Sequence, residues 1–411
     1  MAVAAKALAG GGARGGAQKR PQQNARTSGV PTATGPAKLR IAIVHDWLTN
    51  QGGAERVVMA LHKAYPEAPI FTSVYAPDKL PDFKGLDVRT SFLQHWPLSR
   101  SKHQLYPLLR TIAFESFDFS DYDVVISSCS AEAKGVITSP ETLHICFLYT
   151  PTRYYWSGYQ EYLHNTGFGV LSPLVRLIMP RLVNRMRQWD LAAAARPDRL
   201  VTQSHYVARR IAKYYRRDDT PVINPPIQAD RFQVGTEERN GFVVVSRLVP
   251  YKRVDLAIQA CNQLRLPLTV IGGGTELERL RKLAGLTVKV VGRRSDAEIA
   301  AAYASAQAFI FPAEEDYGIT PIEAMAAGTP VIAYAAGGAT ETVEEGITGT
   351  FFSEQTVASL VAALQSFDPT QFDPAKIRAH AERYDEAEFI KKMQKFVDDN
   401  LRDYHKNQKT A

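Results

Sequence analysis

The sequence predicts an α/β protein built from two doubly wound parallel-sheet domains, and three observations carry that expectation. Short apolar runs of strand length alternate with longer amphipathic segments, the pattern of a parallel sheet covered by helices. The series occurs twice, once on each side of a polar stretch at residues 233–240. At 411 residues and 45% hydrophobic composition, the chain is long enough to bury two cores.

Taken in order, residues 1–39 are expected to form a disordered tail: they are rich in Ala, Gly, Gln, Pro and Thr and show no apolar period. An organelle transit peptide is the alternative reading of that tail. The first strand is Ile41-Ala42-Ile43-Val44-His45, followed by a loop through Gly52-Gly53 and a helix from near Ala54 whose apolar side carries Val57, Val58 and Leu61. Further strands are expected at 70–74, 124–127 and 144–149, giving an N-terminal domain over residues 40–232. The second series places strands at 242–246, 268–271, 288–291, 309–311 and 331–333, within a domain over residues 240–385. A final helix, from Glu386 to about residue 404, is expected to pack back on the first domain.

Charge and cysteine content narrow the function classes. The net charge of +7 equals the number of basic residues in the first forty positions (Lys6, Arg14, Lys19, Arg20, Arg26, Lys38 and Arg40), where no acid occurs. The remaining chain is balanced, which argues against a nucleic-acid-binding body. Cys129, Cys146 and Cys261 are far apart and lack metal-ligand spacing, so neither a disulfide framework nor a zinc site is expected. No apolar run reaches the length of a membrane span, and the first residues lack the apolar stretch of a secretory signal. The expected location is the cytoplasm, with at most a peripheral contact on the inner face of the cell membrane.

In open α/β sheets ligands sit beyond the carboxyl ends of the strands, so the loops there are where chemistry is sought. The strongest signal is Glu315-Asp316-Tyr317-Gly318-Ile319-Thr320-Pro321-Ile322-Glu323, which continues into Ala324-Met325-Ala326-Ala327-Gly328-Thr329-Pro330. An acidic loop follows a strand, Gly318 lets the backbone approach a ligand closely, and Pro321 suits the first turn of a new helix. Such a helix start presents free N–H groups and a positive dipole end, and a pyrophosphate fits it. Glu323 lies in that first turn, either bonding ribose hydroxyls or simply facing the dipole. Glu315 lies where a transferred sugar would be, or is a solvated loop acid.

Ser246-Arg247-Leu248-Val249-Pro250-Tyr251-Lys252-Arg253 follows the first strand of the second series. Arg247 and Lys252 can converge on one diphosphate, the first as a planar fork and the second as a mobile point charge; an exposed basic loop is the plainer reading. Gly272-Gly273-Gly274 lacks the spacing of a dinucleotide fingerprint and reads as a tight strand-to-helix turn near the nucleotide. Gly52-Gly53 either faces donor or acceptor across a cleft, or is a glycine turn before a helix.

Together these motifs resemble glycosyltransferase family 4, over most of residues 41–400 and in the same order, with the Glu-x7-Glu element the most specific part. The resemblance implies the GT-B fold, in which two Rossmann-like domains face a central cleft, and a transfer that retains anomeric configuration. It implies no cofactor and no bound metal, with positive residues and a helix end stabilising the leaving group. The catalytic set it implies is Glu315, Arg247 and Lys252, with Glu315 on the transferred sugar and the two cations on the diphosphate. Donor contacts would come from Glu323 on the ribose, from Gly318, Ile319 and Thr320 over the phosphates, and from Gly52, Gly53, Tyr149 and Gly273. Within the family, His45-Asp46-Trp47-Leu48 and Tyr149-Thr150-Pro151-Thr152-Arg153-Tyr154 are similar to bacterial O-antigen and exopolysaccharide mannosyltransferases. That branch implies GDP-mannose as the donor. Many relatives carry His where Tyr149 stands, so the role of this position departs from the pattern. Arg153 and Asp46 are expected towards the acceptor.

Two acid-free stretches bear on the acceptor. Residues 88–114 hold Arg89, Arg100, Lys102 and Arg110 among Phe92, Trp96 and Tyr106; residues 162–189 hold Arg176, Arg181, Arg185 and Arg187 among aliphatic residues. The mixture suits an anionic membrane surface and a lipid-linked saccharide acceptor, with core helices bearing solvated arginines as the alternative. The expected function is transfer of a hexose to a lipid-linked or oligosaccharide acceptor in surface polysaccharide synthesis. The alternatives are use of a UDP-sugar, an epimerase or phosphorylase on the same fold, and a non-catalytic carbohydrate- or nucleotide-binding protein.

Overall fold

Hydrophobic runs that are buried on both sides must pair with one another, and they do so in two six-stranded sheets. The computed structural model of the chain describes residues 39–164, 172–235 and 238–410. Residues 1–38 of the expected tail, and part of the second basic stretch, residues 165–171, lie outside the described residues. The first sheet comprises β1 (Ile41–His45), β2 (Ile70–Thr72), β3 (Val88–Thr90), β4 (Val124–Cys129), β5 (Leu143–Leu148) and β6 (Arg199–Thr202). The second comprises β7 (Phe242–Val245), β8 (Leu268–Ile271), β9 (Val288–Gly292), β10 (Ala308–Phe311), β11 (Val331–Tyr334) and β12 (Gly349–Phe352). Every ladder is parallel; Ile43 pairs with Ile126 in the first sheet and Phe309 with Val243 in the second. Every residue of β1, β4, β5, β7 and β10 is buried, as strands covered by helices on both faces require.

The strand orders are β3-β2-β1-β4-β5-β6 and β12-β11-β10-β7-β8-β9, which are the same doubly wound order. In each sheet the winding reverses between two central strands, β1 and β4 in the first and β7 and β10 in the second. Chain leaving those strand ends diverges to opposite faces and opens a crevice, so four loops are singled out by topology alone.

Sequence reasoning found the central strands and passed over β3, β6 and β12. All three are edge strands; β3 is three residues long and only partly buried, with Arg89 exposed at its centre. Short, mixed edge strands carry little apolar signal.

The chain crosses between the halves twice. Ile227 and Asp385 form a parallel bridge, so the outgoing and returning segments run side by side. The returning segment becomes the helix Glu386–Thr410, whose Phe389, Met393 and Val397 are buried in the core beneath the first sheet. Gln394 Nε2 donates to the Ala64 carbonyl at 3.2 Å, tying it to the helix Gly53–Ala64. The three cysteines are free and buried.

Candidate active site

The loop after β10 is shaped by glycine. Gly318 adopts φ 87° and caps the helix Ile319–Ala326, a backbone region that L side chains rarely occupy. Pro321 carries no N–H, so the helix start presents the amides of Ile319 and Thr320. Behind this loop, a turn after β11 fits only because it lacks side chains: a Cβ at Gly337 would lie 2.3 Å from the Glu315 carbonyl oxygen. Gly338 N donates to that same oxygen at 2.8 Å. The sequence reading missed this Gly337-Gly338 turn, although a glycine pair following a strand was the available signal.

Each acid of the loop has a defined partner. Glu314 accepts from the Tyr206 hydroxyl, and Glu315 from the Lys252 ammonium. Asp316, nearly buried, takes Arg153 at 2.8 Å and Arg210 at 2.5 Å. Ser204, which caps the helix His205–Tyr215 by accepting from Val207 N, donates its hydroxyl to the Asp316 carbonyl at 2.6 Å. Tyr206, Arg210 and Asp316 were not singled out from the sequence.

The loop after β7 brings Arg247 and Lys252 together through a residue not expected to matter. Arg247 is exposed and donates to the Tyr251 hydroxyl at 2.9 Å, while Lys252 Nζ lies 5.3 Å from the Tyr251 ring centre. The Gly272-Gly273-Gly274 turn clamps this loop: Leu248 N donates to Gly273 O at 3.0 Å, and a Cβ at Gly272 would lie 1.8 Å from Ser246 O. Gly273 itself sits against Arg293. The turn supports the basic loop, as a close strand-to-helix turn should.

From the first sheet, the loop after β1 meets the helix start after β10. A Cβ at Gly53 would fall 2.6 Å from Ile319 Cδ1, so two helix N-termini abut at this point. Arg56, in the first turn of the helix Gly53–Ala64, pairs with Glu323, which is 6% exposed. The carboxylate expected on the ribose is thus capped by a guanidinium from the other half. Gly52 is backed by Glu55, whose Oε1 lies 3.8 Å from His45 Nε2. Burial opposes protonation of His45, but Glu55 outweighs it and raises the imidazole pKa above its ordinary value.

Tyr149 and Asp46 do structural work. The Tyr149 hydroxyl lies 2.8 Å from Ser128 Oγ and donates to the Ala54 carbonyl at 3.2 Å, bracing the glycine loop from behind. Asp46, expected towards the acceptor, is 1% exposed. Its oxygens accept from the backbone amides of Ser130, Ala131 and Ala133 at 2.6, 3.0 and 2.8 Å and from the Ser130 hydroxyl at 3.0 Å, which pins the loop after β4 and occupies the carboxylate within the protein. Arg153, also expected towards the acceptor, pairs with Asp316 of the second half. Arg110 is not part of a basic surface: it is 3% exposed and pairs with Glu132 at 2.8 Å. Among the described residues, no group of three or more His, Cys, Asp or Glu side chains is arranged to hold a metal ion.

Three of the four loops singled out by topology, those after β1, β7 and β10, carry most of the residues singled out by motif, while Tyr149 and Arg153 follow β5 and Gly273 follows β8. Residues 226–384 match the family described as glycosyl transferases group 1. The group 1 glycosyl transferase match begins at the outgoing crossing beside Ile227 and ends at the returning one beside Asp385, so it covers the second sheet and both cation- and acid-bearing loops. Among curated proteins, the chain is 31% identical over 232 residues to a GDP-mannose-dependent α-(1-6)-phosphatidylinositol monomannoside mannosyltransferase of Mycolicibacterium smegmatis, covering 49% of this chain and 58% of that one. It is 30% identical over 205 residues to a D-inositol 3-phosphate glycosyltransferase of Geodermatophilus obscurus, covering 42% and 46%. The chain thus spans about half the length of the curated relatives it matches. Among solved structures, Anabaena HepE in complex with UDP aligns with TM-score 0.66 at 18% identity, over 88% of this chain and all of that one. Sucrose-phosphate synthase of Thermosynechococcus elongatus aligns with TM-score 0.68 at 16% identity, over 89% and 99%. The fold is GT-B, two Rossmann-like domains with the carboxyl ends of their sheets facing.

Proposed function

We propose that the chain is a retaining glycosyltransferase that moves a hexose from a nucleoside diphosphate donor to an acceptor hydroxyl. The observation that carries this reading is the meeting, at the switch point of the second sheet, of the acid loop and helix start after β10 with Arg247 and Lys252 after β7, against which the Gly53 helix start of the first sheet abuts. In the reaction, the bond between the anomeric carbon and the β-phosphate oxygen breaks and its electron pair leaves on the diphosphate. The acceptor oxygen bonds to the anomeric carbon on the same face, and its proton passes to the departing phosphate oxygen. Arg247, Lys252 and the amides of Ile319 and Thr320 would stabilise the charge that develops there. Glu315 would hold the sugar and Glu323 the ribose. No metal is assigned a part.

GDP-mannose is the favoured donor, supported by the name of the Mycolicibacterium relative. UDP is the rival nucleotide, supported by the ligand of the Anabaena structure. Calorimetric titration of the full chain in EDTA with GDP, UDP and ADP separates them. Selective GDP binding is expected. Selective UDP binding would discard mannose from GDP-mannose as the donor, and no binding by any of them would overturn the donor site.

For the acceptor, we infer a lipid-linked or oligosaccharide substrate met at an anionic membrane surface. Phe92, Trp96, Leu98, Leu105, Leu108 and Ile112 are each more than a third exposed, around exposed Arg100 and Lys102. Large apolar side chains clustered with cations suit a lipid headgroup boundary. No helix among the described residues is long and apolar enough to cross a membrane. Flotation with vesicles containing anionic phospholipid should carry the protein, and Trp96→Glu with Leu98→Glu should abolish it; equal flotation of the variant would refute the inference.

A further inference from the structure

Three cations drawn from both halves of the fold surround one phenol ring. Arg153, in the loop after β5, places its guanidinium carbon 5.9 Å from the centre of the Tyr251 ring. Lys252 Nζ lies 5.3 Å from the same centre, and Arg247 bonds the ring's hydroxyl. Arg153 is held there by a tight turn, with Gly158 N donating to its carbonyl at 2.8 Å and Tyr155 N to the Thr152 carbonyl at 2.9 Å. Its terminal nitrogen pairs with Asp316.

The charges around this ring do not balance. Glu315 is matched by Lys252, and Asp316 carries two guanidinium groups, Arg153 and Arg210, one more than its single charge neutralises. Arg247 has no carboxylate at ion-pair distance among the described residues. Glu314 shares the Tyr206 hydroxyl with Arg210 and offsets one of these charges. Like charges gathered in one place repel unless an anion joins them, and the surplus that remains is one guanidinium group. A planar guanidinium suits the paired oxygens of a phosphate group.

We propose that Arg153 is the N-terminal half's contribution to the donor diphosphate site, completing with Arg247 and Lys252 a cation set arranged around Tyr251. This rests on the glycosyltransferase reading. Because Asp316 keeps Arg210 when Arg153 is removed, the acid loop retains a partner, and the variant isolates the cation. The β-phosphate is its target, so the loss should appear with a diphosphate and not with a monophosphate.

The test is calorimetry on the full chain with GDP and GMP, or with UDP and UMP if the wild type selects uridine. Arg153→Ala should weaken diphosphate binding about tenfold or more while changing monophosphate binding less than about twofold. Arg153→Lys, which keeps the charge and loses the fork, should fall between them. Arg210→Ala should show no diphosphate-selective loss. If Arg153→Ala does not fold, as judged by its melting curve, Arg153→Lys carries the test with an expected loss of several-fold. Wild-type protein that binds no nucleoside diphosphate would overturn the donor reading itself. Wild-type binding with an Arg153→Ala variant that keeps its diphosphate affinity, or loses both nucleotides equally, would overturn the role of Arg153 alone. So would Arg210→Ala reproducing the selective loss, since Arg153 would then act only through Asp316.

Discussion

Replacing Gly338 by alanine tests whether the turn after β11 sets the position of the acid loop. The added methyl would lie 2.4 Å from Tyr317 Cα, 2.6 Å from the Tyr317 carbonyl oxygen and 2.8 Å from the Asp316 carbonyl oxygen. Carbon contacts are comfortable from about 3.5 Å, so the two segments must part by about 1 Å. All three neighbours are backbone and cannot swing aside. The residue's own conformation, φ −67° and ψ −19°, is open to any amino acid, so the effect is steric alone. Overpacking of this kind costs about 1–3 kcal/mol. Gly338 N also holds the Glu315 carbonyl, so the displaced loop takes Glu315 away from Lys252, and Asp316 away from Arg153. A group misplaced by ~1 Å can lose on the order of a hundredfold in rate. Gly338→Ala should therefore melt at least a few degrees lower and transfer sugar roughly a hundredfold more slowly. Gly346→Ala is the control: Gly346 has φ 72° but nothing within 4 Å of an added Cβ, so it should melt lower through backbone strain and transfer sugar normally. A Gly338→Ala protein that melts and turns over like wild type, or a Gly346→Ala protein equally slowed, would refute the coupling between turn and loop.

Lys252→Ala should weaken nucleoside diphosphate binding about tenfold or more, because a charge-assisted contact is removed; unchanged calorimetric affinity would exclude Lys252 from the site. Asp190→Ala should destabilise the protein by about 3–5 kcal/mol in urea unfolding, since it strands the fully buried Lys134 ammonium, 2.7 Å away, together with the Tyr215 hydroxyl and the Trp156 indole N–H. A loss under about 1 kcal/mol would show that water reaches Lys134 there. His103 is buried, with Arg110 nearby, and both effects lower its pKa from 6.5 to about 4. The neutral ring is therefore the folded form: its contribution is complete above pH 6.5 and is lost as the pH falls from 6.5 to about 4. That window is worth on the order of 3 kcal/mol, and His103→Gln should flatten the melting-temperature profile across it, whereas a superimposable profile would refute the assignment.

The fold was legible where strands are central and buried. In β4 and β5 the apolar runs reflect burial on both faces, and in the loop after β10 the spacing of Gly318 and Pro321 reflects a backbone that must turn sharply into a helix. Edge strands such as β3 were illegible because they are short and poorly buried; none of the three residues of β3 is fully buried and Arg89 is exposed. The individual charges of the candidate site could be picked out, since Arg247, Lys252 and Glu315 stand in recognisable loops and Glu323 one turn into the helix that follows Gly318, but their partners could not. Lys252 and Glu315 are 63 residues apart, Arg210 and Asp316 106, and Arg56 and Glu323 267. No local pattern encodes pairings made by tertiary closure. Asp46 misled for the same reason: a conspicuous acid in a loop after β1 reads as a ligand-facing group, and only the loop after β4 supplies the amides that occupy it.

Those distant pairings change what donor binding entails on the proposed reading. The two carboxylates assigned to the sugar and the ribose are not waiting in solvent, because Glu315 holds Lys252 and Glu323 holds Arg56. Donor entry is then an exchange of partners: a sugar hydroxyl replaces Lys252 on Glu315, and the released ammonium turns to the diphosphate. Pre-pairing keeps the carboxylates from being stranded when the site is empty, which for a group as enclosed as Glu323 would be a costly state. It also makes the two ends of the donor interdependent, since the cation reaches the phosphates only when the sugar takes its place. A nucleoside diphosphate without its sugar would have to compete with Glu315 for Lys252. The nucleotide sugar should therefore bind more tightly than the bare diphosphate, and Glu315→Gln should narrow that difference by releasing Lys252 in advance.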